Sequence, residues 1–235
     1  MAAAGPGAGD RVLDACCGTG ASAVPAARLV GPDGVVDAVD ISGPMVEELR
    51  GNAAGLPQLH AHQADVTAWD GRGYDVVVSA LGIFFFPDMT AGTESSIGMA
   101  RPGGRVAFTI WRGDSMVAAG RHLRLAVAEA TATEPAPERA PHLIDEINQA
   151  EPYAEWLTGL GLSEVEVKVN ELRLTMTPEV AWLVVLGSGF RGALAELAPE
   201  TVDTVRELYL SSLRDGGIGE LDATTLIGVG TAPAE

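Results

Sequence analysis

A glycine-containing turn between two apolar segments is the part of this sequence best suited to chemistry. Residues 11–15 predict a short strand, residues 21–30 predict a helix, and Gly18 and Gly20 lie between them. Glycines allow a ligand to approach the backbone closely, and the first N–H groups of a helix have no partner within the helix. This arrangement is typical of a nucleotide site, although a tight strand-to-helix turn without a ligand would use the same residues.

Three carboxylates stand near the ends of the predicted strands. Asp14 is in the end of the first strand, Asp40 ends the second, and Asp65 follows the third. A carboxylate at the position of Asp40 can accept hydrogen bonds from both hydroxyls of a ribose. A carboxylate at the position of Asp65 can accept a hydrogen bond from an adenine amino group, and it can also cap a helix. These positions favour a cofactor that contains a nucleoside.

Two cofactors remain open at this stage, NAD and S-adenosylmethionine (SAM). Gly18, Gly20 and Ala23 fit the dinucleotide fingerprint with alanine in its third place. Asp14 favours SAM, because its carboxylate would repel a pyrophosphate but would stabilise the amino group of a methionine moiety.

The first half of the sequence alternates predicted strands and helices. Strands are expected at 11–15, 35–40, 58–64, 74–79 and 105–111, with helices at 21–30, 44–54 and 88–100. This alternation implies right-handed crossovers and a mostly parallel sheet. We therefore expect an α/β, doubly wound, Rossmann-like fold.

The second half has a looser pattern that contains a proline-rich loop at 134–141. Helices are expected at 115–131, 151–160, 178–186 and 199–214, with strands at 165–176 and 225–231. No linker is long enough to mark two independent domains, so a single domain over 1–235 is expected. It would consist of a cofactor-binding half over 1–111, a helical lid over 112–160 inserted after strand five, and C-terminal strands and helices over 161–235.

Five segments in this order and spacing resemble the motifs of class I SAM-dependent methyltransferases, most of all the ubiquinone- and menaquinone-type branch that acts on small molecules. They are Val12–Gly20, Val36–Asp40, Gln63–Val66, Tyr74–Leu81 and Arg101–Val106. The resemblance implies a seven-stranded sheet with an antiparallel last strand, SAM as cofactor, and methyl transfer to an O, N or C nucleophile of a small, largely apolar or aromatic metabolite. That branch includes many enzymes of secondary metabolism.

The resemblance also implies a cofactor contact for each motif. The methionine end of SAM would contact Asp14, Ala15, Cys16, Gly18 and Gly20, and the ribose would contact Asp40. The adenine would contact Ile41, Asp65 and Val66, and the sulfonium would lie on Ser79 and Leu81. Ordinary core packing is an equal alternative for Ile41, Val66 and Leu81. Cys16 departs from the family, which more often has glycine there. Only ten residues precede the first strand, so either another segment or a partner subunit covers the cofactor, or the site is unusually open.

The acceptor is expected above the end of the fourth strand. Its contacts would be Phe84, Phe85, Trp111, Tyr153 and Arg191. Aromatic residues are more often core than ligand contacts, and Arg191 could instead cap a helix. His142, after the proline-rich loop, is the first choice for a general base or an acceptor-orienting group, although a solvated loop histidine is the commoner case. His60 and His62 alternate on the third strand, and at least one of them is expected to be exposed.

Composition restricts the classes of partner. The formal charge is −17, from 32 acidic and 15 basic side chains, which argues against nucleic acid and against an anionic membrane surface. The only cysteines, Cys16 and Cys17, are adjacent, so neither a structural disulfide nor a zinc framework is expected, and no metal site is predicted. The first ten residues do not resemble a signal peptide. A cytoplasmic protein, which could form a homodimer, is expected.

Two other functions remain open. An NAD(P)-dependent oxidoreductase of Rossmann type is favoured only by the glycine fingerprint, and the single lysine, Lys168, has no tyrosine four positions before it. A non-catalytic SAM-binding subunit that acts through a protein partner would fit the short amino-terminal segment, and it would bind cofactor without turning over a small acceptor.

Overall fold

The chain folds into two compact units in a computed structural model that describes residues 3–137 and 141–234. The first unit comprises Met1–Ile110, Leu143–Val169 and Leu226–Glu235, and the second comprises Trp111–His142 and Asn170–Thr225. Residues 138–140 of the predicted proline-rich loop lie outside the described part of the chain. Within the described part, every helix is too short or too polar to cross a membrane.

Strands and helices alternate through the first half, as the sequence predicts. The strands are β1 (Arg11–Ala15), β2 (Val35–Asp40), β3 (Leu59–Gln63), β4 (Tyr74–Ala80), β5 (Ala100–Trp111), β6 (Ser163–Asn170), β7 (Arg173–Thr175), β8 (Glu220–Asp222) and β9 (Thr225–Thr231). The helices are α1 (Ala23–Val30), α2 (Gly43–Asn52), α3 (Met89–Ile97), α4 (Val117–Ala130), α5 (Leu143–Glu146), α6 (Ala150–Gly159), α7 (Pro178–Leu186) and α8 (Pro199–Asp215). Short 3₁₀ helices lie at Val66–Ala68, Ile83–Phe85 and Gly189–Leu194.

Seven strands form one sheet in the order β3-β2-β1-β4-β5-β9-β6. The sheet is mostly parallel with one antiparallel strand, and this confirms the predicted fold class. β1 pairs in parallel with β2 on one side and with β4 on the other. The chain order therefore reverses between β1 and β4, which is the point where open α/β sheets bind their ligands, at the carboxyl ends of the strands.

The sheet is buried on both faces, so its central strands are apolar at successive positions. In β1, Val12 faces a cluster that includes the alanines of α1, whereas Leu13 faces the cluster that contains Phe108. The four residues Val12–Ala15 are all buried. Asp14 is thus a carboxyl group within a strand that has no polar side, and its position calls for a reason other than stability.

Helix α6 packs in the core of the first unit. Tyr153 and Leu157 are completely buried in the cluster that contains Phe108, and Leu162 joins them. Of the segment 112–160 predicted as a lid, residues 143–160 belong to the first unit and residues 112–142 to the second, and the lid remains a prediction. The apolar spacing of α6 fits burial against the sheet, which the sequence analysis did not consider for this segment.

The second unit has its own core and a separate two-stranded sheet. Helix α4 packs on α8, where Leu123, Val205 and Tyr209 are buried together. β7 pairs with β8 in antiparallel register, and Asp222 of β8 forms ion pairs with Arg112 and Arg173. The long strand predicted at 165–176 is two strands that belong to different sheets.

Candidate functional site

The turn after β1 uses backbone conformations that favour glycine. Gly18 and Gly20 have φ values of 53° and 95°, and Cys16 has a φ of 59°. The turn is held by hydrogen bonds from the Cys17 N–H to the Val39 carbonyl and from the Gly20 N–H to the Cys17 carbonyl. Cys16 thus takes the left-handed conformation at the position where the family more often has glycine, and a side chain is tolerated there at a cost in strain.

Asp40 joins the end of β2 to the glycine turn. Its Oδ2 accepts a hydrogen bond from the Gly18 N–H at 2.9 Å, and its Oδ1 accepts one from the Ser42 N–H at 2.8 Å. Each carboxylate oxygen has two lone pairs, so both oxygens keep an acceptor position for a further donor. These two hydrogen bonds orient the carboxylate before any ligand arrives, whereas the ribose contact of Asp40 remains a prediction.

Asp14 lies buried beneath the same turn. Its Oδ2 accepts a hydrogen bond from the Ser22 hydroxyl at 2.6 Å. Its Oδ1 is buried and has no hydrogen-bond partner among the described residues. Burial raises the pKa of Asp14 to about 7, while the Ser22 hydroxyl and the Ala23 backbone N–H oppose that rise. The carboxyl is therefore poised between its neutral and charged forms near neutral pH, with one oxygen still without a donor.

A third contact point lies at the end of β4. Ser79 is buried, and its Oγ has no hydrogen-bond partner among the described residues. A Cβ added to Gly82 would stand 2.5 Å from that Oγ and 2.5 Å from the Cβ of Cys16, so only glycine fits there. Leu81, between them, has a φ of 59°. Strained backbone at the carboxyl end of β4, beside an unsatisfied hydroxyl, is typical of a ligand-binding floor.

The two adjacent thiols of the turn are poor nucleophiles. Burial, together with the neighbouring carboxylates, raises the pKa of Cys16 to about 12 and raises that of Cys17 further. The thiolate is the reactive form of cysteine, so a chemical role for either thiol is not favoured.

The adenine contacts implied by the family occupy the ends of β2 and β3. Ile41 has 73% of its surface exposed, which is unusual for a large apolar side chain. Asp65 is exposed, and its Oδ1 accepts hydrogen bonds from the N–H and the hydroxyl of Thr67. Val66 is buried in the core. Asp65 thus caps the short helix that follows it, while its Oδ2 has no hydrogen bond in the structure described.

SAM fits the residues at this edge of the sheet. The glycine turn and Asp40 offer hydrogen-bond positions for a ribose, and Ile41 offers an exposed apolar face. Oδ1 of Asp14 and Oγ of Ser79, which have no hydrogen-bond partner among the described residues, could each form a hydrogen bond with the cofactor. Ser22 and Ser79 line a small cavity of about 50 Å³ together with the amino-terminal residues Ala3 and Ala4. The segment before β1 thus reaches the carboxyl end of β4, which the sequence analysis did not predict.

Substitution of Gly20 by alanine tests how tightly the turn packs. Its added Cβ would stand 2.2 Å from Cδ1 of Leu49 in α2, whereas a Cβ on Gly9, also at positive φ, meets nothing within 4 Å. We expect Gly20→Ala to lower the free energy of unfolding by about 2–4 kcal/mol, through left-handed strain plus overpacking. Gly9→Ala, the matched control, should lose only about 1 kcal/mol through strain. Urea unfolding measures both, and equal losses in the two variants would contradict tight packing at Gly20.

The predicted acceptor residues of the first unit divide between surface and core. Phe85 has 64% of its surface exposed, and its ring centroid is 4.8 Å from that of the partly buried Phe84. Phe86 is buried. Tyr153 corrects the sequence prediction, because it is completely buried and its hydroxyl donates to the Phe108 carbonyl at 3.1 Å. Tyr153 is therefore a core residue and not an acceptor contact.

The remaining predicted residues belong to the second unit. Trp111 is partly buried and packs against the cluster that contains Leu221. Arg191 is exposed on the 3₁₀ helix at Gly189–Leu194. His142, the last residue of the segment Trp111–His142, is half-buried and interacts with another residue. The roles predicted for these three residues remain predictions.

Three residues of the site escaped sequence reasoning. Ser22 bonds Asp14, the Ser42 N–H bonds Asp40, and Gly82 leaves room beside Ser79. Ser42 stands two positions after Asp40, so the tight turn there could have indicated that its N–H bonds the carboxylate. Ser22 reaches Asp14 across the glycine turn, and Gly82 is confined by Cys16 as well as by the nearby Ser79, so neither contact follows from one element alone.

Comparison with known proteins agrees with this geometry. Residues 12–104 match the family model described as a methyltransferase domain. Aklanonic acid methyltransferase DauC of Streptomyces sp. (strain C5) is 37% identical over 108 residues, which cover 44% of this chain and 49% of that protein. Nocamycin O-methyltransferase of Saccharothrix syringae is 36% identical over 108 residues, which cover 44% and 39%.

The whole fold has solved counterparts. A SAM-dependent methyltransferase from Aquifex aeolicus superposes with a TM-score of 0.53 at 12% identity, over 97% of this chain and 85% of that one. The sequence match to the two curated relatives spans about half of their length or less. Residues 12–104 are thus similar in sequence to a methyltransferase domain, the fold is that of solved SAM-dependent methyltransferases, and the predicted resemblance of the chain to class I SAM-dependent methyltransferases is confirmed.

Proposed function

We propose that this chain is a SAM-dependent methyltransferase that acts on an O, N or C nucleophile of a small, largely apolar or aromatic metabolite of secondary metabolism. The observation that carries the proposal is the carboxylate of Asp40, held by two backbone N–H groups across the glycine turn. Bound SAM supplies an electrophilic methyl group on a sulfonium. The chain's own part is to hold the nucleophile in line with that methyl group.

Asp14 supports SAM over a dinucleotide. Its unpartnered Oδ1 lies under the turn where a dinucleotide would place its pyrophosphate, and an anion there would meet a carboxyl group that ionises near neutral pH. A primary ammonium group would instead favour the charged carboxylate and satisfy the free oxygen. The unpartnered Oδ1 therefore favours a cationic donor over an anion at this position.

The acceptor class follows from the aromatic residues after β4. Phe85 exposes most of its ring beside Phe84, directly beyond the strand that carries Ser79. Exposed aromatic rings at the carboxyl edge of such a sheet favour an apolar or aromatic partner. The names of the curated relatives, aklanonic acid methyltransferase and nocamycin O-methyltransferase, support a small metabolite as acceptor.

A base is needed only if the nucleophile must lose a proton. We propose His142 for this role, with Trp111 and Arg191 as further acceptor contacts. These assignments rest on the position of the residues in the sequence. Methyl transfer measured over a range of pH with a His142→Ala variant tests the histidine, because loss of a base removes the rise in rate with pH.

Thermal unfolding with S-adenosylhomocysteine, and separately with NAD and NADP, tests the cofactor. A ligand at one hundred times its dissociation constant adds about 2.7 kcal/mol to the free energy of unfolding. We expect stabilisation by S-adenosylhomocysteine and none by NAD or NADP, followed by methyl transfer from SAM to members of a panel of aromatic acceptors.

Each other outcome contradicts part of the proposal. Stabilisation by a nicotinamide nucleotide alone would favour an oxidoreductase. Binding of S-adenosylhomocysteine without transfer to any small acceptor would favour a non-catalytic SAM-binding subunit. A possible homodimer, which the sequence analysis left open, is measured by light scattering on the same sample.

A further inference from the structure

A second cluster of polar side chains lies in the first unit, away from the glycine turn. Asp37 on β2 and His60 and His62 on β3 offer three ligand atoms within 4.8 Å of one another. Oδ1 of Asp37 is 3.0 Å from Nε2 of His62 and 3.6 Å from Nδ1 of His60. The proposed methyl transfer uses none of these groups.

The strand register brings the three residues together. Asp37 pairs directly with His60, and Val39 pairs with His62, in the parallel ladder of β2 and β3. Successive side chains of a strand point to opposite faces, so His60 and His62 share one face, and both contact Asp37. The arrangement is therefore fixed by the backbone and does not depend on a loop.

The carboxylate of Asp37 is also fixed from behind. Its Oδ2 accepts a hydrogen bond from the hydroxyl of the buried Tyr74 at 3.0 Å, and the Tyr74 hydroxyl oxygen in turn accepts one from Nε1 of Trp69 at 3.0 Å. The ring of Trp69 packs on His62, with centroids 4.8 Å apart. This relay leaves Oδ1 directed at the two imidazoles. Partners of this kind orient the ligands of metal sites and raise their affinity.

The distances suit a small transition-metal ion. Ligand atoms about 2.0–2.2 Å from zinc in tetrahedral geometry stand roughly 3.3–3.5 Å apart. The two separations from Asp37, 3.0 Å and 3.6 Å, lie on either side of that range. The side chain of His60 is 50% exposed, so its ring has room to rotate toward the other two. Asp37 is only 14% exposed, which limits competition from water at its carboxylate.

We propose that Asp37, His60 and His62 bind one divalent transition-metal ion, of which Zn²⁺ is the representative, and that the ion ties the edge strand β3 to β2. Two imidazoles and one carboxylate suit zinc, nickel, copper or cobalt better than the oxygen-seeking Mg²⁺ or Ca²⁺. Three protein ligands leave at least one coordination position for water. The two adjacent cysteines predict no metal site, and the site proposed here has no signal in the sequence because Asp37 joins the histidines only through the strand register.

The site is separate from the proposed cofactor site. Asp37 and Asp40 are three residues apart on β2, or about 10 Å along an extended strand. Asp37 points to the face that carries His60 and His62, whereas Asp40 reaches the glycine turn at the strand end. Metal binding can therefore be tested without reference to methyl transfer, and either proposal can fail alone.

Titration of the chelator-treated, metal-free protein with Co²⁺ tests the site through the visible absorption of the bound ion. We expect one equivalent to bind, and Zn²⁺ to displace it. His60→Ala and His62→Ala should each weaken Co²⁺ binding at least tenfold. Tyr74→Phe, which removes the hydrogen bond behind the carboxylate, should weaken it by about 10–100-fold.

His122→Ala is the matched control, because His122 bonds Ser212 in the second unit and is remote in sequence from the cluster. It should leave Co²⁺ binding unchanged, and Mg²⁺ should not compete. The proposal is overturned if the unmodified protein binds no Co²⁺, or if His62→Ala binds it as tightly as the unmodified protein. It is equally overturned if His122→Ala lowers the affinity as much as His62→Ala does.

Discussion

Replacement of Asp40 by alanine is expected to weaken the binding of S-adenosylhomocysteine by at least about 100-fold. The carboxylate is expected to accept hydrogen bonds from two ribose hydroxyls, and hydrogen bonds to a charged group contribute about 1.5–3 kcal/mol each. Loss of both corresponds to about 3 kcal/mol or more, which is a factor of about 100 or above in the dissociation constant. Isothermal titration calorimetry at neutral pH measures the change directly.

The structure adds a second cause for this effect. The same carboxylate binds the N–H groups of Gly18 and Ser42, so the alanine variant also releases the glycine turn. Asp40→Asn separates the two contributions, because the amide keeps one acceptor oxygen but loses the charge. Its affinity should lie between those of the unmodified protein and Asp40→Ala.

A matched control is available in the same unit. Asp33 is exposed in the turn before β2, and Asp33→Ala removes the same charge without touching the site. We expect its affinity for S-adenosylhomocysteine to equal that of the unmodified protein. Retention of full affinity by a folded Asp40→Ala variant would refute the ribose-binding role, whereas equal losses in both variants would show a general charge effect.

Much of the cofactor-binding half could be predicted because its signals are local. The turn that contains Gly18 and Gly20 has positive φ at both glycines. The helix that follows it can be predicted from its own residues, without reference to distant ones. Asp14 and Asp40 stand at the carboxyl ends of adjacent parallel strands, so strand alternation alone places them at one edge of the sheet. Strand β9 also has the bounds that its apolar pattern predicts, Thr225–Thr231.

The features that escaped prediction depend on contacts between distant segments. β7 and β8 have three residues each and lie more than forty positions apart, so neither has a period that a sequence pattern reveals. The position of Tyr153 after strand five predicts a contact with the acceptor, yet its hydroxyl donates to the Phe108 carbonyl in the core. The pairing of Asp37 with His60 likewise needs the register of two strands. Turns and strand ends can therefore be predicted from the sequence, whereas contacts between residues of distant segments cannot.

Replacement of Asp14 by asparagine is expected to raise the stability of the protein above pH 7 and to weaken its binding of cofactor. In the folded protein burial raises the pKa of Asp14 to about 7, from the 3.8 of a solvated aspartate. Between these two values the folded state holds a proton that the unfolded state releases. The free energy of unfolding therefore falls as pH rises through this window, by about 1.4 kcal/mol for each pH unit.

The asparagine variant carries no titratable group at this position, so the fall is absent from it. Other ionisable groups are common to both proteins and cancel in the difference. From pH 5 to pH 8, the stability of Asp14→Asn relative to the unmodified protein should rise by about 2–3 kcal/mol. Urea unfolding at several pH values measures this difference, and the amide oxygen can still accept the hydrogen bond of Ser22.

Asp75→Asn is the control with the opposite sign. The Arg11 backbone N–H, followed by Arg101, lowers the pKa of Asp75, so its ionised form stabilises the fold. That stability is present above the unfolded pKa and is lost as pH falls through the folded value, so Asp75→Asn should be less stable than the unmodified protein at pH 8. A difference between Asp14→Asn and the unmodified protein that does not change from pH 5 to pH 8 would refute the raised pKa.

The cost of ionising Asp14 links the two halves of this prediction. A buried carboxyl group at Asp14 lowers the free energy of unfolding at neutral pH. Its presence is explained if a bound ligand cation stabilises the charged carboxylate. An ammonium group beside Oδ1 would favour the charged form, so binding of S-adenosylhomocysteine near pH 6 should release a proton to the buffer. Calorimetry in buffers of different ionisation enthalpy measures that release. It should disappear in Asp14→Asn, together with at least a tenfold loss of affinity, and a release of the same size in both proteins would assign it to another group.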